Sequence, residues 1–471
     1  MSVFKSICFF MALLCIVNTS NAQTYTTILG DSLIGEKGLV SHLMPDSSIW
    51  LVGATQQGTI GGGDIVMIRL DALGNPIGNP SYFGTPDLDY PNNMLVQDHQ
   101  LIIVGEIHRT AGVNGFVLVL DTAGQQLSWS EHGLAGQSEQ FFDIKPTRDN
   151  GFVVAGFGSL PNVVGNDFLV AKFDSLGANQ WLNFYDLGQN DIGVTIVERP
   201  TGGYLVAGDQ NQRNNNYNVV ILSLDSLGNR EWDNVIRYPY NGGCKNMQLY
   251  QDQIVIVGEM ATPTSSAFDW YLIRLDLAGQ LQWQGTIPQS DRGDAIFDIA
   301  IVHNNKYYLT GYSYNNNTSN TDIQVMAVDS LGQILAQQYY GSNSFDMGYD
   351  IQVLPNESFM VTGFGTYNSD NQMVVIRDKF NLISPTNTLV KDTPSLTAYP
   401  NPTINGIVQI KGLKEALRYE LTIYNSTGIA CHTQILPPNH QVNISHLDTG
   451  IYWLAIHNPS TGIEALVLHK Q

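Results

Sequence analysis

The sequence predicts an all-β chain, a seven-bladed β-propeller followed by a small C-terminal β-sandwich. Two markers recurring in phase, and the lack of any helical periodicity between them, lead to that fold. The first marker is Asp174-Ser175-Leu176-Gly177, which returns as Asp225-Ser226-Leu227-Gly228 and as Asp329-Ser330-Leu331-Gly332. Looser copies at Asp71 with Gly74, Asp121 with Gly124, Asp276 with Gly279 and Asp378 with Asn381 bring the series to seven, spaced 49 to 53 residues apart. The second marker is the glycine ending Leu-Val-Gly or Val-Ala-Gly stretches, at Gly53, Gly105, Gly156, Gly208, Gly258, Gly311 and Gly363. Short apolar runs repeating about every 50 residues are the signature of propeller blades.

Along the chain, residues 1–22 stand apart from the repeats. Lys5 precedes an apolar run from Ile7 to Val17, and Ser20 and Ala22 place small residues before a cut at Gln23. This reads as a secretory signal with Ala22 as its last residue. Cys15 offers a lipidated alternative, although Leu14 is bulkier than such sites favour. No other stretch is apolar enough for a transmembrane segment.

The propeller is expected over residues 23–383. In the repeat at 191–238, Val194 to Glu198 alternates as a first strand, Pro200-Thr201-Gly202-Gly203 turns, and Tyr204 to Ala207 forms a second. Asn218 to Leu224 and Glu231 to Tyr238 are the third and fourth, joined by the Asp-Ser-Leu-Gly turn. Glycine accepts the positive φ that closes such a turn, and the aspartate can accept a backbone N–H two residues on. The connections between second and third strands are expected to run about eight to twelve residues in every blade. Tyr25 to Gly30 resembles the end of a fourth strand such as Gln338 to Gly341, and the seventh repeat weakens after Asp378. The first strand should therefore complete the last blade and remove an open edge.

Charge narrows the partners. The formal net charge is −20, and leaving out residues 1–22 removes Lys5 to give −21. Between Gln23 and Lys391, 17 basic residues face 37 acidic ones, so the excess lies in the repeats. Such a body repels nucleic acid and anionic lipid. Only Cys244 and Cys431 remain after residue 22, so no disulfide framework is expected.

Aligned repeats contain two polar rings. Seven residues before each turn aspartate stand Asp64, Asn114, Asp167, Asn218, Asp269, Asp322 and Asn371. Near the start of each first strand stand Glu36, Asp89, Glu139, Asp191, Asn241, Asp294 and Asp346. Six acids of seven, close to where a propeller channel opens, admit a cation or an amine-bearing ligand. Equally, each would cap backbone N–H groups where a strand begins, and residues repeated in every blade usually serve the blade. Trp129, Trp181, Trp232 and Trp283 recur in the fourth strands of consecutive repeats, as inter-blade packing or as stacking platforms for sugars. His42, His99, His108, His132 and His303 have no metal-ligand spacing, and no nucleophile motif is present. No cofactor is implied; calcium is the one ion the acidic ring admits, and no calcium-loop motif accompanies it.

The repeats resemble no enzymatic propeller closely. The Gly-His and Trp-Asp pairs of WD repeats and the double glycine of kelch repeats do not recur, and the turn differs by one residue from a sialidase Asp-box. The chain is similar instead to Asp-Ser-Leu-Gly propeller repeats of secreted bacterial proteins. After a linker at 384–394, residues 395–471 alternate again as strands. Tyr399-Pro400-Asn401-Pro402, Leu421 to Asn425 before Gly428, Leu447 to Tyr452 around Gly450, and a terminal Val467-Leu468-His469-Lys470 resemble the type A sorting domain of the type IX secretion system. That resemblance implies handling by the type IX machinery, export across the outer membrane, and release or attachment at the cell surface. The function expected is a binding or adhesion module for an extracellular glycan or protein. The alternative is a carbohydrate-active hydrolase or lyase, whose carboxylates would converge from different blades.

Overall fold

The computed structural model describes residues 24–30, 36–55, 60–133, 137–160, 165–188, 190–211, 217–237, 242–262, 265–287, 294–303, 306–315, 320–354, 357–367, 370–380, 397–399, 403, 406–411, 413, 419–425, 430–458 and 462–470. The chain divides into two compact units, 1–382 and 383–471. Among the described residues every regular element is a strand.

The first unit is a seven-bladed propeller. Blades 1 to 6 occupy 36–83, 88–132, 139–185, 191–236, 242–287 and 295–340, each an antiparallel sheet whose strands A to D follow chain order. Blade 7 takes strands A to C from Asp346–Val353, Phe359–Tyr367 and Asp370–Asp378, and its strand D is Tyr25–Leu29 from the start of the chain. Tyr25 pairs with Arg377 and Leu29 with Met373, so the ring closes as the two ends of the repeat region implied.

Burial grades outward within a blade, and that grading explains the sequence pattern. In blade 3, strand A (Glu139–Pro146) alternates buried and half-buried positions. Strand C (Asp167–Phe173) is buried throughout, and strand D (Asn179–Tyr185) is exposed or half-buried except at Tyr185. Strands B and C have a neighbouring blade on both faces and so read as continuous apolar runs rather than alternations. The core is accordingly a series of apolar clusters, each shared by two adjacent blades. Leu169, Ala171 and Phe173 of blade 3 meet Ile102, Val104 and Val117 of blade 2, while Val170 and Phe168 meet Val206 and Val220 of blade 4. Tyr25 and Leu29 enter the cluster joining blades 7 and 1, beside Ile49, Leu51 and Met360.

The connections between strands B and C are mostly shorter than expected. In blade 2, strand B runs Gln100–Arg109 and strand C begins at Gly112; in blade 5, Gln253–Thr262 is followed by Ser265. The ladder continues past the apolar stretch through pairs such as Glu106 with Gly115 and His108 with Val113. Pairing requires only the backbone, so side-chain hydropathy marks the buried part of a hairpin and not its end.

The second unit contains a sheet of Thr397–Tyr399, Ile407–Lys411 and Gln441–Asn443, and a sheet of Ala430–Ile435, Glu420–Asn425, Gly450–Asn458 and Gly462–Lys470. Val408, Ile410 and Val442 of the first share one apolar cluster with Leu421, Ile423, Leu454 and Ile456 of the second. The signal segment with Ala22, the linker, Pro400, Asn401, Pro402 and Gly428 lie outside the described residues. Cys244 is buried and Cys431 exposed.

Candidate functional site

Every strand A carries a register shift, and the residue after it lines the cavity on the propeller axis. These shifts fall at Gly38/Val40, Pro91/Asn93, Phe141/Asp143, Gly193/Thr195, Cys244/Asn246, Ile296/Asp298 and Gly348/Asp350. A bulge bends the strand and re-aims its side chain. The polar members form a belt linking one blade to the next. Asn93 Nδ2 donates to Asp143 Oδ1 at 2.8 Å, and Thr195 Oγ1 and Ile196 N donate to Asp143 Oδ2 at 2.9 Å each. Asn246 Nδ2 donates to Asp298 Oδ1, and Ile351 N to Asp298 Oδ2 at 2.8 Å. Ser41 N and Oγ both donate to Asp350 Oδ2, closing blade 7 onto blade 1.

This belt surrounds an axial cavity of about 630 Å³ lined by the inner strands of all seven blades. Lys145 reaches Asp143 Oδ1 at 2.6 Å. Burial pushes the Asp298 carboxyl well above the usual range, with the charge of Asp350 adding to it. Asp350 is raised by burial too, an effect that the Ser41 hydrogen bonds and Lys145 oppose. The belt escaped the sequence reading although its signal was present: Asn93, Asp143, Thr195, Asn246, Asp298 and Asp350 all stand twelve or thirteen residues before the marker glycine.

The acidic ring occupies the junctions between blades, where its members are shut away from solvent. Glu36, Asp89, Glu139, Asp191, Asp294 and Asp346 are each at most 1% exposed. Asp191 accepts Leu187 N at 2.7 Å, Asp346 accepts Ser342 N at 2.7 Å and Ser342 Oγ at 2.9 Å, and Asp89 accepts Thr85 N. Each of these three donors lies four residues earlier, in the connection entering strand A. Asp294 takes Tyr314 N from strand B of its own blade. Asn241 lies outside the described residues.

Asp64, Asp167 and Asp322, near the start of strand C in the preceding blade, lie close enough to act on Asp89, Asp191 and Asp346. Burial first, then the neighbouring Asp322 charge, lift the Asp346 carboxyl to about 6. Asp191 is likewise pushed up to about 6, by burial and then by Asp186 and Asp167. Burial raises Asp89 as well, with Asp64 contributing, while Thr85 and Arg109 pull the other way.

The turn aspartates sit on the opposite connections. Asp71, Asp121, Asp174, Asp225, Asp276 and Asp329 each accept the N–H groups two and four residues on, at 2.8 to 3.0 Å, through one carboxylate oxygen. Asp378 departs from them, accepting Lys379 N and the Tyr340 hydroxyl at 2.7 Å each. Its blade receives strand D from the chain start, so no C-to-D turn is required there. The tryptophans pack: Trp181, Trp232 and Trp283 lie against the turn glycines of the next blade, Gly228, Gly279 and Gly332, and Trp129 stacks on Phe116. In the second unit Tyr452 is buried and donates to Asp448 O at 2.8 Å, and Lys470 Nζ donates to Ser445 O at 2.9 Å. Gly450 opens the strand carrying Tyr452, and Tyr399 closes the strand Thr397–Tyr399.

Fold and tail define the chain as an exported seven-bladed propeller. Residues 397–467 match the family described as the secretion system C-terminal sorting domain, so the propeller is followed by a sorting tail. That tail marks the protein for export by the type IX system, to be secreted or held at the cell surface. No curated protein matches the chain in sequence. Among solved structures, a PL25 ulvan lyase is similar at 9% identity and TM-score 0.48, over 72% of this chain and 94% of its own. The WD40 domain of Neurospora crassa Pan2 is similar at 13% identity and TM-score 0.46, over 72% and 88%. PorZ, a surface component of the type IX secretion system of Porphyromonas gingivalis, is similar at 11% identity and TM-score 0.33, over 97% and 75%.

Proposed function

We propose that the propeller is a non-enzymatic binding or adhesion module, delivered by its sorting tail to present a rigid loop face to an extracellular glycan or protein. The observation that supports this reading is the engagement of the axial carboxylates. Asp143 binds strands of blades 2 and 4, Asp298 those of blades 5 and 7, and Asp350 that of blade 1. Groups fixed between strands stiffen a ring and are poorly placed to exchange protons with a substrate. Short B-to-C hairpins serve the same end, since they add little mobile surface to that face.

One observation favours a carbohydrate-active enzyme instead. Asp298 and Asp350 both line the cavity with raised proton affinity, and acid-assisted glycoside cleavage uses a carboxyl kept protonated beside a second carboxylate. A glycan array combined with a polysaccharide-degradation screen on the full chain separates the two. Binding without released oligosaccharide is the expected result. Product formation that disappears in Asp298→Asn would establish the enzyme and defeat the module.

A further inference from the structure

The junction joining blades 3 and 4 differs from those that follow blades 1 and 6. In blades 1 and 6, the residue directly after strand D is Gly84 or Gly341, and the local carboxylates close upon it. A Cβ on Gly84 would stand 2.7 Å from Asp89 Oδ2 and 3.3 Å from Asp64 Oδ1; one on Gly341 would stand 2.6 Å from Asp322 Oδ1 and 3.0 Å from Asp346 Oδ2. Pairing places Asp186 in the same register: Phe168 faces Tyr185 just as Ile65 faces Phe83 and Ile323 faces Tyr340. Where the junctions at Gly84 and Gly341 have a glycine, this one has a third carboxylate.

The three acids meet. Asp167, Asp186 and Asp191 each offer an oxygen, and these oxygens all lie within 4.8 Å of one another. Asp167 is 3% exposed and Asp191 fully buried, and neither Asp167 Oδ2 nor Asp191 Oδ1 has a hydrogen-bond partner among the described residues. Buried carboxylate oxygens ordinarily find donors, and like charges this close repel unless something positive lies between them. At the blade 1–2 junction, Arg109 pairs with Asp87 and adds its charge near Asp89. No such cation reaches the three carboxylates here among the described residues; Arg230 pairs with Asp233 and meets only the main-chain oxygen of Asp186.

We propose that Asp167, Asp186 and Asp191 form a calcium site that pins blade 4 to blade 3. Oxygens bound about 2.4 Å from one ion stand at most about 4.8 Å apart, and these three lie within that limit of one another. Calcium suits a mixed set of buried and solvent-facing oxygens because its coordination number is flexible and water completes it. Asp186, being exposed, is the side from which the ion enters.

Isothermal titration of the chelator-stripped full chain with CaCl2, alongside melting curves, tests the site. One ion per chain is expected, with a dissociation constant of about 10⁻⁴–10⁻³ M or tighter and a melting temperature that rises with calcium. Asp186→Asn should weaken uptake at least about tenfold. Among the described residues its carboxylate otherwise accepts only Gly188 N, so the variant keeps the fold. Asp167→Asn should do the same, and Asp346→Asn at the blade 6–7 junction should leave uptake intact. No saturable uptake, or uptake unchanged in Asp186→Asn, would overturn the site. The result stands apart from glycan binding, because it reads the ion alone.

Discussion

Asp346 illustrates how one residue type comes to do opposite things in this protein. On the turns, an aspartate accepts two N–H groups in partly open water, and Asp71 is lowered below the usual carboxylate range by Asn75, Leu73 and Gly74 against a burial effect that raises it. At the junctions burial dominates, and Asp346 rises to about 6. An acid whose folded pKa exceeds its unfolded value near 3.8 adds stability below about pH 4 and loses it as pH climbs through 6. In chelator, the melting temperature should therefore decline between pH 4 and pH 7, and the decline should be shallower in Asp346→Asn. Equal slopes in the two proteins would refute the assignment. The ring's periodicity was visible in the sequence, but its burial was not, because burial depends on the adjacent blade covering the junction.

At the scale of the element, the Asp-x-x-Gly turn joins strands C and D and also receives the preceding blade. Gly279 has φ +76°, and the Trp232 ring comes within 2.6 Å of where its Cβ would stand. Gly78 has φ +78° with nothing within 4 Å of that point. Gly78→Ala should thus show backbone strain alone, about 1 kcal/mol, while Gly279→Ala adds a clash and should reach about 2–4 kcal/mol. Denaturant melts of the two variants measure the difference, and equal losses would mean that Trp232 yields freely. Turn chemistry is local, so the sequence disclosed it. The aromatic against the glycine is contributed from 47 to 49 residues away, and so only its recurrence could be seen.

For the whole molecule, closure is the controlling event. Deleting residues 24–30 strips Tyr25 and Leu29 from the cluster joining blades 7 and 1 and bares the edge of Asp370–Asp378. The melting temperature should fall by about 5 °C or more, with soluble aggregates in size-exclusion chromatography. An unchanged, monomeric variant would show that the ring holds without its first strand. Blade number, strand order, turn type, first-strand closure and the sorting tail could all be read from the chain, because periodicity and short motifs record them within a few neighbouring residues. Which carboxylates meet could not: Asp350 joins Ser41 across 309 positions, and Asp186 finds Asp167 only where strand D returns beside strand C. Hydrogen bonds and charge repulsion act over a few ångströms of space, and it is ring closure that makes residues distant in the chain neighbours at that range.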